Sequence, residues 1–144
     1  MSLPHGYEIS TDIARIDLDY VHHYLSQLSY WARGIPRDIV ARSIENSITF
    51  GLYREDGAQI GFARVITDRA TFAWLADVFI DPAWQGKGLG KGFMDTVLAH
   101  ADLQQLRRFM LVTLDAHALY AQYGFGEPPN PERLMAIVRT DLYR

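Results

Sequence analysis

Gly86, Gly88 and Gly90 stand at alternate positions between an apolar run that ends at Ile80-Asp81-Pro82 and an amphipathic stretch that starts at Leu89, with Lys87 and Lys91 interleaved. Glycine permits positive φ and removes the Cβ that would hold a ligand off the main chain, so such a turn can curl into a concave nest of amides. The first turn of a helix adds N–H groups without intrahelical partners, together with the positive end of the aligned peptide dipoles. A diphosphate satisfies both. Lys87 and Lys91 add charge at the rim. Gly92, one step inside the helix at a cost of about 1 kcal/mol relative to Ala, predicts close packing of helix on sheet.

Two other phosphate motifs fail on the same letters. A P-loop requires Gly, four residues, then Gly-Lys-Ser/Thr, but Gly90-Lys91 is followed by Gly92 and Gln85 stands where the first Gly belongs. A dinucleotide fingerprint begun at Gly86 and Gly88 needs its third Gly where Lys91 sits, and the hairpins ahead of the turn do not make a βαβ unit. What does fit is Gln85-x-x-Gly88-x-Gly90, which resembles the Arg/Gln-x-x-Gly-x-Gly/Ala pyrophosphate-binding signature of the GCN5-related N-acetyltransferases (GNAT). Ile80-Asp81-Pro82 is similar to the Val-x-Pro-like end of that family's preceding strand. Ala116-His117-Ala118-Leu119-Tyr120-Ala121-Gln122-Tyr123-Gly124-Phe125 resembles its downstream Ala-x-x-Leu-Tyr-x-x-x-Gly-Phe-like helix. The resemblance covers about Ile48 to Val138.

The resemblance implies an acetyl-CoA-dependent N-acetyltransferase that passes the acetyl group to a primary amine of a small molecule or peptide by direct attack in a ternary complex, without a metal. It implies that Gln85, Gly86, Lys87, Gly88, Leu89, Gly90 and Lys91 hold the diphosphate. It further implies that main-chain amides of Val78, Phe79 and Ile80 orient the pantetheine and polarise the thioester carbonyl; a β-bulge there would free such amides from the ladder. The transfer also needs a neutral amine and a proton for the leaving thiolate. Tyr120 aligns with the tyrosine that supplies this proton in many members, and a phenol, ordinarily with a pKa of about 10, suits the task. Asp77 stands where many members carry a Glu used as base, directly or through water. Burial would suit Asp77 to that work, whereas pairing with Arg64 or Arg108 would make it structural, and both roles stand open. His117 is a second candidate base. Thr113 aligns poorly with the Asn common at the end of the fifth strand, and Asp115 reads as the N-cap of the next helix. In the family the acceptor is chosen by the first two helices and the loop between them, here Ser29 to Pro36. Tyr30 and Trp31 could cradle an apolar or aromatic amine and Arg33 could hold a carboxylate or a CoA phosphate; the alternative is core aromatics beneath a loop. Two rival functions are a non-catalytic acyl-CoA-binding module and transfer of a longer acyl group.

The elements that must position these groups follow from periodicity. Tyr7 to Thr11 reads as a strand, and Leu18, Val21, Leu25 and Leu28 give a helix from about Asp17 to Leu28. Pro36 suits the first turn of a second helix with Ile39, Val40 and Ile44 inward. From Ile48 the period changes to two, Asp56-Gly57 supplies a tight hairpin, and Gln59 to Thr67 returns antiparallel. After a turn at Asp68-Arg69, Thr71 to Ile80 is apolar enough to be central. The helix from Gly88 to about His100 carries Leu89, Phe93, Met94, Val97 and Leu98 on one face. Arg108 to Thr113 is a fifth strand, Ala116 to Tyr123 a short helix, and Leu134 to Val138 a last strand after a Pro-rich break. The expected fold is α/β (α+β mixed), a mostly antiparallel sheet of about six strands flanked by four helices, and residues 1–144 read as one N-acetyltransferase domain.

Composition narrows the class. The formal net charge of −3, without clustered Lys and Arg, argues against nucleic-acid binding. The absence of cysteine excludes thiolate metal sites and a Cys nucleophile, and adjacent His22-His23 point apart on a helix and make no metal pair. No apolar run approaches the roughly 20 residues of a membrane span, and the first residues lack a signal pattern, so a cytoplasmic protein is expected. The first few residues could belong to an expression tag. Little room remains after the sixth expected strand for the seventh found in many members, so a partner subunit completing the acceptor side, in a homodimer, is expected.

Overall fold

The computed structural model describes residues 3–143. Its centre is a five-stranded sheet in chain order: β1 (Glu8–Ser10), β2 (Ile48–Tyr53), β3 (Gln59–Thr67), β4 (Phe72–Ile80) and β5 (Arg108–Met110). The first four strands run antiparallel to their neighbours and β5 runs parallel to β4. Four α-helices flank it: α1 (Leu18–His23), α2 (Arg37–Glu45), α3 (Leu89–Leu98) and α4 (His117–Ala121). The mixed α/β architecture is the expected one, with one strand fewer. Residues 134–138 form an apolar run, but among the described residues they have no ladder partner and lie outside any regular element. β5 likewise stops at Met110, short of Thr113.

Local chemistry explains the frame. Gly57, at φ +88°, closes the β2–β3 hairpin, in which the Gly57 N–H donates to the Arg54 carbonyl at 2.8 Å. In the β3–β4 turn the Asp68 carboxylate accepts from the N–H groups of Ala70, Thr71 and Phe72 and from the Thr71 hydroxyl. Those bonds hold its carboxyl well below the usual carboxylate range. Asp17 caps α1 by accepting from the Tyr20 N–H at 3.1 Å. Asp115 does not cap α4. Thr113 Oγ1 accepts from the Ala116 N–H at 3.0 Å instead, because the hydroxyl two residues earlier reaches the turn first.

The two sheet faces bury separate cores. Ile48, Phe50, Leu52, Ala63, Val65, Ala73 and Leu75 meet Leu89, Phe93, Met94 and Val97 of α3 on one face. On the other, Phe62 and Phe79 meet Val21, Leu25, Val40 and Ile44 of α1 and α2. Gly92 is tightly packed as expected, but against the N-terminal segment and not the sheet: a Cβ there would lie 2.9 Å from Leu3 Cδ2.

Candidate active site

The bulge sits in β4. Arg64 pairs with Ala76, yet Phe62 pairs with Phe79, so one extra residue is inserted opposite Ala63. Asp77 takes φ +55°, a left-handed conformation that Asp tolerates better than most residues. Because side chains alternate across a strand, one inserted residue exchanges the faces of everything after it. Ala73 and Leu75 face α3, and so do Val78 and Ile80 beyond the bulge, while Phe79 is turned to the α1–α2 side. Asp77 is delivered to that same side.

There Asp77 is fully engaged. Its Oδ2 accepts from Arg64 Nε and its Oδ1 from Trp31 Nε1, both at 2.9 Å, and the Asp77 and Arg64 side chains are only 11% and 15% exposed. Arg64 also donates to Ser47 Oγ at 3.2 Å. Of the two roles open for Asp77, the geometry is that of a positioning residue that ties the 29–36 loop to the bulge. Asp77→Asn keeps the left-handed backbone and an acceptor for Trp31 but removes the charge facing Arg64. We expect a loss of about 2–3 kcal/mol, below the limit for a fully buried pair, read from the urea midpoint, with kcat within tenfold of wild type. A larger fall in kcat at full stability would make Asp77 the base.

The loop is built over a helix defect. After α1 the chain makes a π turn, Tyr24–Leu28, and the Ser29 N–H donates to the Tyr24 carbonyl. Ser29 Oγ donates to the Leu25 carbonyl and accepts from the Ala32 N–H, and the His22 ring donates to the Ile35 carbonyl. Tyr30 and Trp31 are 58% and 41% exposed, so they are surface rings and not core aromatics. Tyr30 and Trp31 meet edge to face, and the Tyr30 hydroxyl accepts from the Leu114 N–H at 3.3 Å. Arg33 turns away and donates to the Gln27 carbonyl. Tyr24 stacks on Phe79 at 3.7 Å between centroids, and the Tyr20 hydroxyl donates to Asp81. These two tyrosines escaped the sequence reading, although their i, i+4 spacing beside the apolar stripe marks one helix face.

On the other side of the bulge β4 and β5 part. Their pairing covers Phe72 to Trp74 only, so from Leu75 to Ile80 β4 has a strand neighbour on the β3 side alone. The glycine turn lies just past the end of β4. Gly86 and Gly88 have φ +78° and +77°, and a Cβ at either would meet nothing within 4 Å. The left-handed φ is what calls for glycine at both positions, and the main chain there faces open space. Gly88 is the N-cap of α3 and offers no side-chain acceptor, so the first-turn amides keep their donors. Lys87 and Lys91 are exposed at the rim, over the Trp84 and Tyr123 rings. These residues fit a diphosphate. The Gln85 side-chain amide donates to the Ile80 carbonyl at 2.8 Å and fastens the turn to β4.

Tyr120, on α4, is half-buried beside Phe125, and among the described residues nothing hydrogen-bonds its hydroxyl. Tyr123 reaches back to the Lys91 carbonyl at 3.4 Å and ties α4 to α3. His117 is exposed on the first turn of α4. Burial holds the phenols of Tyr20, Tyr24, Tyr53, Tyr120 and Tyr123 above the ordinary value of 10.0; the Asp81 carboxylate adds to it at Tyr20. A pKa raised on folding contributes stability that is complete below the unfolded value and lost as pH climbs through the folded one. The melting temperature should therefore hold up to about pH 10 and fall above it; a fall that starts well below pH 9 would contradict this assignment. Among the described residues no helix is long and apolar enough to cross a membrane, and no group of three His, Cys, Asp or Glu could hold a metal ion.

A bulged central strand, a parting β5 and a glycine turn opening α3 define an acyltransferase architecture, and the comparisons agree. The model of the acetyltransferase (GNAT) family matches residues 14–125, and the chain belongs to that family. A crystal structure of a candidate acetyltransferase of the GNAT family from Xanthomonas campestris is 49% identical, with a TM-score of 0.94 over 99% of both chains. A candidate acetyltransferase from Gibberella zeae is 36% identical over 81% of this chain and 76% of its own length. A Mycobacterium tuberculosis protein solved in complex with CoA is 18% identical with a TM-score of 0.62, over 85% of this chain and 73% of its own, and shares the fold.

Proposed function

We propose that this chain transfers the acetyl group of acetyl-CoA to a primary amine of a small molecule or peptide, by direct attack within a ternary complex. The observation that carries this reading is the left-handed, solvent-open main chain at Gly86 and Gly88, set at the start of α3, which no side chain caps, just past the end of β4. There the amides and lysines of residues 86–91 hold the diphosphate, while Gln85 keeps the turn in register with β4.

The main chain of Val78, Phe79 and Ile80, unpaired on the β5 side, orients the pantetheine arm and polarises the thioester carbonyl. The amine nitrogen bonds to that carbonyl carbon, the C–S bond breaks, and Tyr120 gives its phenolic proton to the departing thiolate. Water in the opening takes the proton lost by the amine, because Asp77 is committed to Arg64 and Trp31. Tyr24, stacked on the buried Phe79, and the exposed Tyr30 and Trp31 supply apolar and aromatic contact for the acceptor.

The test is thiol release from acetyl-CoA across polyamines, amino acids, aminoglycosides, arylalkylamines and peptides. Turnover with one class supports the reading. Tight CoA binding with no turnover on any amine would leave an acyl-CoA-binding module instead, and turnover confined to longer acyl donors would change the donor.

A further inference from the structure

Two neighbouring residues reach across the opening between the parted strands. Trp31 Nε1 donates to Asp77 Oδ1 on β4 at 2.9 Å, while the Tyr30 hydroxyl accepts from the Leu114 N–H beyond β5 at 3.3 Å. β4 and β5 run parallel and pair only from Phe72 to Trp74, with Trp74 opposite Met110. Four residues on from that last pair stand Val78 and Leu114, so the two ties fall at nearly one level, beside the bulge. The rings meet edge to face with centroids 5.1 Å apart, which makes them one bar from strand to strand. Its base is held firmly. Ser29 and Ala32 on either side are buried, and Ser29 Oγ links the Leu25 carbonyl to the Ala32 N–H. The Gly34 N–H donates to the Ser26 carbonyl at 3.0 Å, and Tyr24, stacked on Phe79, backs Trp31 at 6.4 Å between centroids. At the other end the Tyr30 oxygen lies close enough to Tyr120 to add to the effect of burial in raising that phenol.

We propose that the bar formed by Tyr30 and Trp31 sets the acyl length of the donor, leaving room for acetyl and excluding hexanoyl. The inference rests on the donor lying along Val78 to Ile80 with its diphosphate at residues 86–91. In that pose the sulfur arrives from the Ile80 end. Each further carbon of the acyl chain then extends toward Asp77 and the junction of the strands, where the bar crosses. Leu75 and Phe79 are buried in the two cores and yield no space on either side. The groove of about 1030 Å³ beyond β5 is lined by Tyr120 but by no residue of β4, so a chain seated on β4 does not enter it. A methylene that finds no room in an apolar site costs about tenfold or more, so a fixed wall at this level discriminates between acyl chains.

The test compares acetyl-CoA with hexanoyl-CoA by calorimetry in the absence of an acceptor, so that contact between the rings and the amine does not enter. Wild type should bind hexanoyl-CoA about tenfold or more weakly than acetyl-CoA. Tyr30→Ala removes the β5 end of the bar at an exposed position and should bring the two dissociation constants within about threefold. Trp31→Phe unties the bar from Asp77 and should move the ratio the same way. Leu28→Ala, an exposed apolar truncation at the foot of the same loop, should keep the wild-type ratio. Three results would overturn the bar while leaving the cofactor reading in place: equal binding of both donors by wild type, a ratio unmoved by both ring variants, or an equal change in Leu28→Ala. Failure of wild type to bind either donor would instead sink the cofactor reading, and this inference with it.

Discussion

Tyr120→Phe is expected to lower kcat about 100-fold or more, the span that a positioned general acid contributes, while the CoA dissociation constant and the melting temperature stay near wild type. The ring packs edge to face on Phe125 at 5.9 Å between centroids, and phenylalanine preserves that contact. The hydroxyl has no hydrogen-bond partner among the described residues, so its removal strands nothing. Burial keeps the phenol protonated past its ordinary 10.0, with the Tyr30 phenolate adding to the effect. The wild-type alkaline limb assigned to Tyr120 should therefore lie above about pH 10, with the rise at lower pH set by deprotonation of the amine. Rates within threefold of wild type would remove Tyr120 from the mechanism.

Gly88→Val is expected to weaken CoA binding about 100-fold, the equivalent of roughly 3 kcal/mol, or two charge-assisted hydrogen bonds. A Cβ on residue 88 meets nothing within 4 Å, but the variant adds a branched side chain at φ +77° in the space where a diphosphate would lie. Backbone strain alone costs about 1–2 kcal/mol of stability. Gly57→Val separates the two effects, since Gly57 has φ +88°, equally open surroundings and a place in the β2–β3 hairpin far from the glycine turn in sequence. Calorimetry should show the hairpin variant destabilised with CoA affinity intact. Equal loss of affinity in both would assign the effect to folding.

How much of this was legible depended on how local each signal was. The glycine turn, the Asp56-Gly57 hairpin and the α3 stripe are set by residues within a few positions of one another, and they stand where the sequence places them. The bulge was expected near Val78, but not its consequence. Which face Asp77 takes depends on how many β3 residues oppose Ala76 to Phe79, and no letter in β4 records that. The π turn at Tyr24–Leu28 is invisible for the same reason, and with it the stacking of Tyr24 on Phe79. Gln85 matched the family signature by type and spacing, yet its amide is drawn to the Ile80 carbonyl, a contact set by the exit angle of β4. Residues 134–138 show the opposite limit: their apolar character is plain, but an apolar run does not name the strand that would pair with it.

If the main chain from Gly86 to Lys91 binds the diphosphate, its N–H groups change environment when CoA is added. The most direct measurement is the shift of backbone amide resonances on titrating CoA into the ¹⁵N-labelled protein. We expect the largest saturable shifts at Gly86, Gly88, Leu89 and Gly90, with Gly57 unmoved. Saturable binding that leaves those four amides in place, or no binding at all, would contradict the account.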